Sequence, residues 1–298
     1  MKRKLSLIMA LVILVLSCLS LSFTKGIKES EENKNEYYIF ENSIVKSEDR
    51  LNPYMADYAI KLFERVNDDM LTGSNNVYFA IIPDKEKYIN ENKALYDEFY
   101  EYYANSLSFA TMIDVYDTLQ FSDFYLSDPH IRQERLVPLA SQLIKSMNGE
   151  SVGDFKENLI DTQFVGSYSK HVDNKVTDSG VYYLSSDEVD KLKIEEGVKM
   201  YDFEKLESDE PYTFFLSGNQ PIVTIKNENA ENDKRLVVFR DSFFSNLAPI
   251  LATAYKETVV IDLRFVMSEY VGELVDFENA DVLFIYSTLL LNNSMSMK

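Results

Sequence analysis

The sequence predicts an α/β layered fold with a largely parallel sheet. Short apolar runs ended by polar breakers recur along the chain, and segments with helical spacing of apolar residues lie between them. Strands that alternate with helices pair in parallel, because each crossover helix packs back on its sheet. In addition, 46% apolar residues with 13% aromatic supply enough surface to fill a core, which excludes bulk disorder.

The chain opens with Lys2, Arg3 and Lys4, followed by an uncharged stretch from Leu5 to Phe23. A helix over that stretch would be roughly 28 Å long, close to the apolar thickness of a bilayer. The basic cluster stays cytoplasmic, so the remainder is expected outside the membrane, anchored or secreted. Residues 1–23 are read as a signal anchor, with cleavage after Ser22 at the Ser20-x-Ser22 site as the alternative. Lipidation of Cys18 ranks third, since Val15-Leu16-Ser17 is a poor lipobox. Residues 24–36 are charged and nearly free of apolar side chains, a solvated stalk. One domain is expected over residues 37–298.

Its strands are expected at Val77–Ile82, ended by Pro83, and at Leu236–Phe239, ended by Arg240-Asp241-Ser242. Two more follow at Thr258–Asp262 and Val282–Tyr286. Helical patterns cover roughly Glu86–Ser106, Gln133–Met147, Phe243–Tyr255 and Ser268–Asp276. The middle, about residues 154–232, is richer in β-branched and aromatic residues around Asp178-Ser179-Gly180 and Ser217-Gly218-Asn219. It reads as a β-rich insertion of strands and loops.

Composition narrows the chemistry. Lys and Arg number 30 against 49 Asp and Glu, a formal net charge of −19 that repels phosphate backbones and argues against a nucleic-acid partner. One Cys and two His leave no intrachain disulfide, no thiolate cage and no multi-histidine centre, so no metal or cofactor is expected.

Open α/β sheets bind ligands at the carboxyl ends of their strands. At the end of Leu236–Phe239, Ser242 stands where a strand gives way to a helix, and free N–H groups there can hold developing negative charge. The plainer reading is that Asp241 or Ser242 caps the helix. A nucleophilic Ser needs a base. His130 follows Asp128 by two residues with Pro129 stiffening the link, so the carboxylate can orient the imidazole. The plainer reading here is a surface turn in which Asp128 caps the next helix. His171 lacks such a context and is read as a loop residue.

These segments resemble the DHHW family of exported bacterial proteins, related to alginate O-acetyltransferases and SGNH-type hydrolases. Val77 to Lys85 resembles the family's first strand and turn. Phe124 to Ile131, containing Asp128-Pro129-His130, resembles the block that names the family, and Phe215 to Asn219 its Gly-Gly-Asn segment. Leu236 to Asn246 resembles its Asp-Ser block, and Val260 to Phe265 the strand that follows. All occur in the family's order.

The resemblance implies an SGNH-hydrolase-like three-layer α/β/α sandwich with a Ser–His–Asp triad. Ser242 would be nucleophile, His130 general base and acid, and Asp128 the orienting carboxylate. The Ser242 N–H and the Asn219 side chain would stabilise the oxyanion, although Asn219 in a Gly-containing turn serves turn formation equally well. Arg264 would hold a sugar or a carboxylate, with pairing to an acid the plainer role. The implied activity is carbohydrate O-acetyltransfer or acetyl-ester hydrolysis on an exported or cell-envelope polysaccharide. A transferase would take its acetyl groups from an integral-membrane acyltransferase partner.

The chain departs from the family block at Pro129 and Ile131, which replace the first His and the Trp, and it contains no Trp. An aromatic beside the base is therefore expected to be missing. Arg240 replaces the usual small residue before Asp-Ser and is expected to narrow or charge the pocket. The competing reading is a catalytically inactive envelope protein on the same scaffold that binds glycan or assembles a polysaccharide-modification complex. A separation of His130 and Ser242 beyond about 7 Å would favour it.

Overall fold

A computed structural model describes residues 36–298, apart from 48–49, 90–91, 148–151, 174, 196 and 231. The N-terminal apolar segment and nearly all of the stalk lie outside the described residues.

The strands are β1 (Tyr37–Phe40), β2 (Ser43–Lys46), β3 (Asn76–Ile82), β4 (Thr111–Ile113), β5 (Lys156–Ile160), β6 (Val181–Ser185), β7 (Lys193–Ile194), β8 (Ile222–Lys226), β9 (Arg235–Arg240), β10 (Glu257–Ile261) and β11 (Ala280–Ser287). A seven-stranded sheet runs in the order β4-β3-β11-β9-β10-β8-β7. The pairs from β4 through β10 are parallel, while β8 is antiparallel to both of its neighbours. β1–β2 and β5–β6 form separate antiparallel hairpins. Glu41 and Asn42, at φ 45° and 62°, make the tight turn between β1 and β2.

The helices are α1 (Pro53–Met70), α2 (Lys93–Ser106), α3 (Val137–Ser146), α4 (Asp187–Lys191), α5 (Ala248–Ala252), α6 (Ser268–Leu274) and α7 (Thr288–Leu291). Successive strand side chains point to opposite faces, and the central strands are apolar on both. Tyr78, Ala80, Leu236, Val238, Leu283 and Ile285 pack with Leu139 and Leu143 of α3 and Ile250 and Leu251 of α5. Phe79, Ile81, Val237, Phe239, Phe284 and Tyr286 pack on the other side with Phe63 and Val66 of α1 and Phe99 and Tyr103 of α2. The result is a three-layer α/β/α sandwich. Among the described residues no helix is long and apolar enough to cross a membrane.

Four sequence-predicted strands fall on β3, β9, β10 and β11, while the helical segments are more broken than their apolar spacing suggests. A 3₁₀ turn at Lys85–Tyr88 precedes α2, and Ser242–Phe244 is a 3₁₀ turn ahead of the short α5. The longest of these helices, α1, lies outside the predicted elements. Its signals are local: Asn52 caps it by accepting from the Tyr54 and Met55 N–H groups, Pro53 opens it, and Ala59, Phe63 and Val66 recur on one face. The middle region is also only partly an insertion. β7 and β8 extend the main sheet beyond β10: β8 buries alternate residues and pairs with β10 along one edge and β7 along the other.

Phe284 is fully buried, with ring centroids 4.8 Å from Phe239 and 5.2 Å from Phe63. Phe284→Ala should lower stability by about 3–5 kcal/mol in urea unfolding, through lost burial and the cavity left between two layers.

Candidate active site

Ser242, His130 and Asp128 meet above the carboxyl end of the sheet, and each is placed by a local device. The Asp128-Pro129-His130 turn is closed by an antiparallel bridge between Phe124 and Ile131 and by the Tyr125 N–H donating to the His130 carbonyl at 3.0 Å. Ser242 follows β9, where Asp241 takes the capping role: one carboxylate oxygen accepts from the Phe243 N–H at 2.9 Å. Its other oxygen accepts from the Ser287 N–H and hydroxyl at 2.8 and 2.6 Å, tying the end of β9 to the end of β11. The Ser242 hydroxyl is thereby released from capping.

Two side chains stitch the distant loops together. The Asn246 amide donates to the Ile131 carbonyl at 2.6 Å, and the Gln133 amide donates to the Asn246 carbonyl at 2.7 Å. His130 Nε2 consequently lies 2.9 Å from Ser242 Oγ, and Nδ1 lies 2.5 Å from Asp128 Oδ1. With Asp128 accepting, Nδ1 carries the proton and Nε2 faces the hydroxyl as an acceptor.

Asp128 is almost fully buried. Oδ1 also accepts from the His130 N–H at 3.1 Å, and Oδ2 from the Ser167 N–H at 2.8 Å. Burial raises its carboxyl, but the charge and hydrogen bond of His130 with the backbone donors outweigh that and hold it at about 2. The donor segment is held in turn: the Gly166 N–H donates to Ser127 Oγ at 2.8 Å, and Ser127 Oγ donates to Asp178 at 3.1 Å. Asp178 also accepts from the Leu126 N–H at 2.8 Å. A Cβ on Gly166 would fall 2.4 Å from Asp128 Cβ and 2.5 Å from the Ser127 carbonyl oxygen, so only glycine fits.

The expected gap beside the base is filled. Tyr212, from the 3₁₀ turn Pro211–Phe214, stacks on His130 with centroids 3.6 Å apart and planes within 6°. Its hydroxyl donates to the Ser242 carbonyl at 3.1 Å, and burial pushes the phenol well above its usual range, so it remains a donor. Phe243 packs against the imidazole at 4.6 Å. No spacing rule links Tyr212 to His130, so sequence reasoning missed it. Ser167, Gly166 and Asp178 escaped it for the same reason.

A cavity of about 190 Å³ opens over the three residues, lined also by Glu210, Thr213, Phe215, Asn219 and Ser245. Leu216, Ser217 and Gly218 are all left-handed, at φ 55°, 53° and 88°, a strained run that delivers Asn219 to the rim. Among the described residues neither the Asn219 amide nitrogen nor the Ser242 N–H has a hydrogen-bond acceptor, and Ser242 and Asn219 line the same cavity.

One expectation changes. Arg240 does not line the cavity; it lies beneath, fully buried, with Nη1 3.4 Å from Asp262 and 3.3 Å from Ser245 Oγ. Arg264 is held on Asp262 by bonds of 2.9 and 2.6 Å and reaches Asn219 Oδ1 at 3.5 Å, the plainer pairing role. His171 stacks on Tyr37 at 4.1 Å, away from the cavity lining. Among the described residues no group of His, Cys, Asp and Glu is arranged to hold a metal.

With the triad geometry in place, comparison with solved structures is informative. The chain shares the fold of a DHHW family protein. That protein, from Eubacterium siraeum, is 19% identical with a TM-score of 0.62, the match covering 87% of this chain and 96% of the other. Bacillus cereus PatB1 with a sulfonyl adduct is 16% identical with a TM-score of 0.66, over 86% and 95% of the two chains. The O-acetyltransferase domain of Pseudomonas putida AlgJ is more distant, at 10% identity and TM-score 0.48 over 87% of each chain. No family model and no curated protein matches the sequence.

Two outcomes follow from the buried carboxylate. Gly166→Ala should displace Asp128 and abolish the downfield Nδ1–H proton resonance of His130 in the NMR spectrum. Because Asp128 titrates lower in the folded chain than in the unfolded one, its stabilisation is complete above pH about 4 and is lost as pH falls toward 2. That is roughly 2 kcal/mol, and Asp128→Asn should show correspondingly weaker pH dependence of urea unfolding across this window.

Proposed function

We propose that the protein is an extracytoplasmic, serine-dependent O-acetyltransferase or acetylesterase acting on a cell-envelope or exported polysaccharide. The observation that carries this reading is the continuous Asp128–His130–Ser242 relay at 2.5 and 2.9 Å, opening into a cavity. A separation of 2.9 Å is within direct proton-transfer range.

In the proposed reaction His130 Nε2 takes the Ser242 proton as Oγ attacks the acetyl carbonyl of a donor ester. Negative charge gathers on the carbonyl oxygen, where the Ser242 N–H and the Asn219 amide would donate. Collapse breaks the bond to the donor oxygen, which leaves with the proton held by His130, and acetyl-Ser242 remains. A sugar hydroxyl, or water in the esterase variant, then gives its proton to His130 and attacks. Ser242 Oγ leaves and regains a proton. Asp128 stays ionised throughout and stabilises the imidazolium.

Support also comes from PatB1, whose shared fold holds a sulfonyl adduct. The inactive-scaffold alternative drew on an absent aromatic beside the base, and Tyr212 supplies one. The remaining parts of the proposal are residues 1–23 as membrane anchor and an integral-membrane acyltransferase as donor of acetyl groups.

Full-length protein treated with p-nitrophenyl acetate near pH 7.5 should show a single acetyl adduct by intact mass, and Ser242→Ala none. Phenylmethylsulfonyl fluoride should modify the same residue. His130→Ala should slow acylation by about 10²–10⁴-fold, and His171→Ala should stay near wild type. Unchanged turnover in Ser242→Ala would refute the mechanism.

A further inference from the structure

The charge around the cavity carries information on the acceptor that the triad does not. Glu210 lines the cavity beside Thr213 and Phe215. It is exposed, and its carboxylate has no ion-pair partner among the described residues. Glu207 and Asp209, just before it in the chain, are exposed as well. No Lys or Arg occurs among the described residues that line the cavity. Of the nearby cations, Arg264 and Arg240 share the Asp262 carboxylate, Arg240 is fully buried, and neither lines the cavity.

An acceptor with a carboxylate on each sugar would bring negative charge against Glu210 just as an oxyanion forms at Ser242. A hydroxyl-rich or amino sugar meets the opposite situation, since a carboxylate has only acceptor sites and pairs with hydroxyl or ammonium donors. Thr213 adds a hydroxyl to the same wall of the cavity.

Building on the acyl-transfer reading, we infer that Glu210 makes this site selective for neutral or amino-bearing glycans and against polyuronates. Glu210 accepts hydrogen bonds from the acceptor sugar while another hydroxyl of that sugar gives its proton to His130 and takes the acetyl group from Ser242.

The test is the partitioning of acetyl-enzyme, generated with p-nitrophenyl acetate on the full chain. The acceptors are a neutral hexose oligomer, a glucosamine oligomer and a hexuronate oligomer of equal length. At about 0.02 M salt, wild type should transfer at least about tenfold faster to the first two than to the uronate. That gap should shrink at about 0.5 M salt, where exposed charges are screened. Glu210→Gln should narrow the gap and Glu210→Lys should close or reverse it. Glu210 is exposed, so neither change threatens folding. Equal transfer to the uronate in wild type overturns the inference, as does an undiminished preference in Glu210→Lys. Failure to form any adduct on Ser242 overturns the parent reading instead, which separates the two.

Discussion

A buried, ionised carboxylate organises this molecule. Removing a charge from water costs several kcal/mol unless it is paired and hydrogen-bonded. Asp128 meets that requirement with the His130 imidazole, the His130 N–H and the Ser167 N–H. Two of these donors come from its own turn. The third comes from the middle region, which must approach so closely that Gly166 has no room for a side chain. Asp178 then holds the Leu126 N–H and, through Ser127, the Gly166 N–H. Satisfying one charge therefore locks the loop that bears His130 to the segment after β5.

A second carboxylate does the matching task on the Ser242 side. Asp241 is also buried, and its two oxygens divide between the turn after β9 and the end of β11. It takes over the capping that Ser242 would otherwise supply, which leaves the Ser242 hydroxyl for His130. The reciprocal amide contacts of Asn246 and Gln133 then fix the distance between the two loops. Two acids of the same type thus perform different work, one orienting a base and one shaping a strand end, because their neighbours differ.

The cavity is completed from the middle of the chain. Tyr212 brings a ring to His130 and a hydroxyl to the Ser242 carbonyl, so one side chain touches both partners. The adjoining left-handed run at Leu216, Ser217 and Gly218 carries Asn219 to the rim, and backbone strain of that kind persists where packing imposes it. Leu216 is fully buried, which anchors the strained turn. Arg240 sits below, buried on the Asp262 carboxylate that Arg264 also holds, while the Glu210 carboxylate lines the cavity.

By itself the sequence determined the layered fold, because β3, β9, β10 and β11 are apolar on both faces and end at abrupt polar breakers. It also singled out Ser242, His130 and Asp128, since Asp-Pro-His and strand-Asp-Ser are local patterns with local chemistry. It did not reveal α1, whose capping and periodicity are clear only once its charged outer face is discounted, nor that β7 and β8 join the main sheet. Tertiary structure alone decided that His130 and Ser242 touch, that Tyr212 replaces the missing aromatic, and that Arg264 and Arg240 both pair with Asp262. Those contacts join residues far apart in the chain, and no periodicity encodes them. They follow from the need to pair buried charge and fill space between loops that the sheet has already gathered at one end.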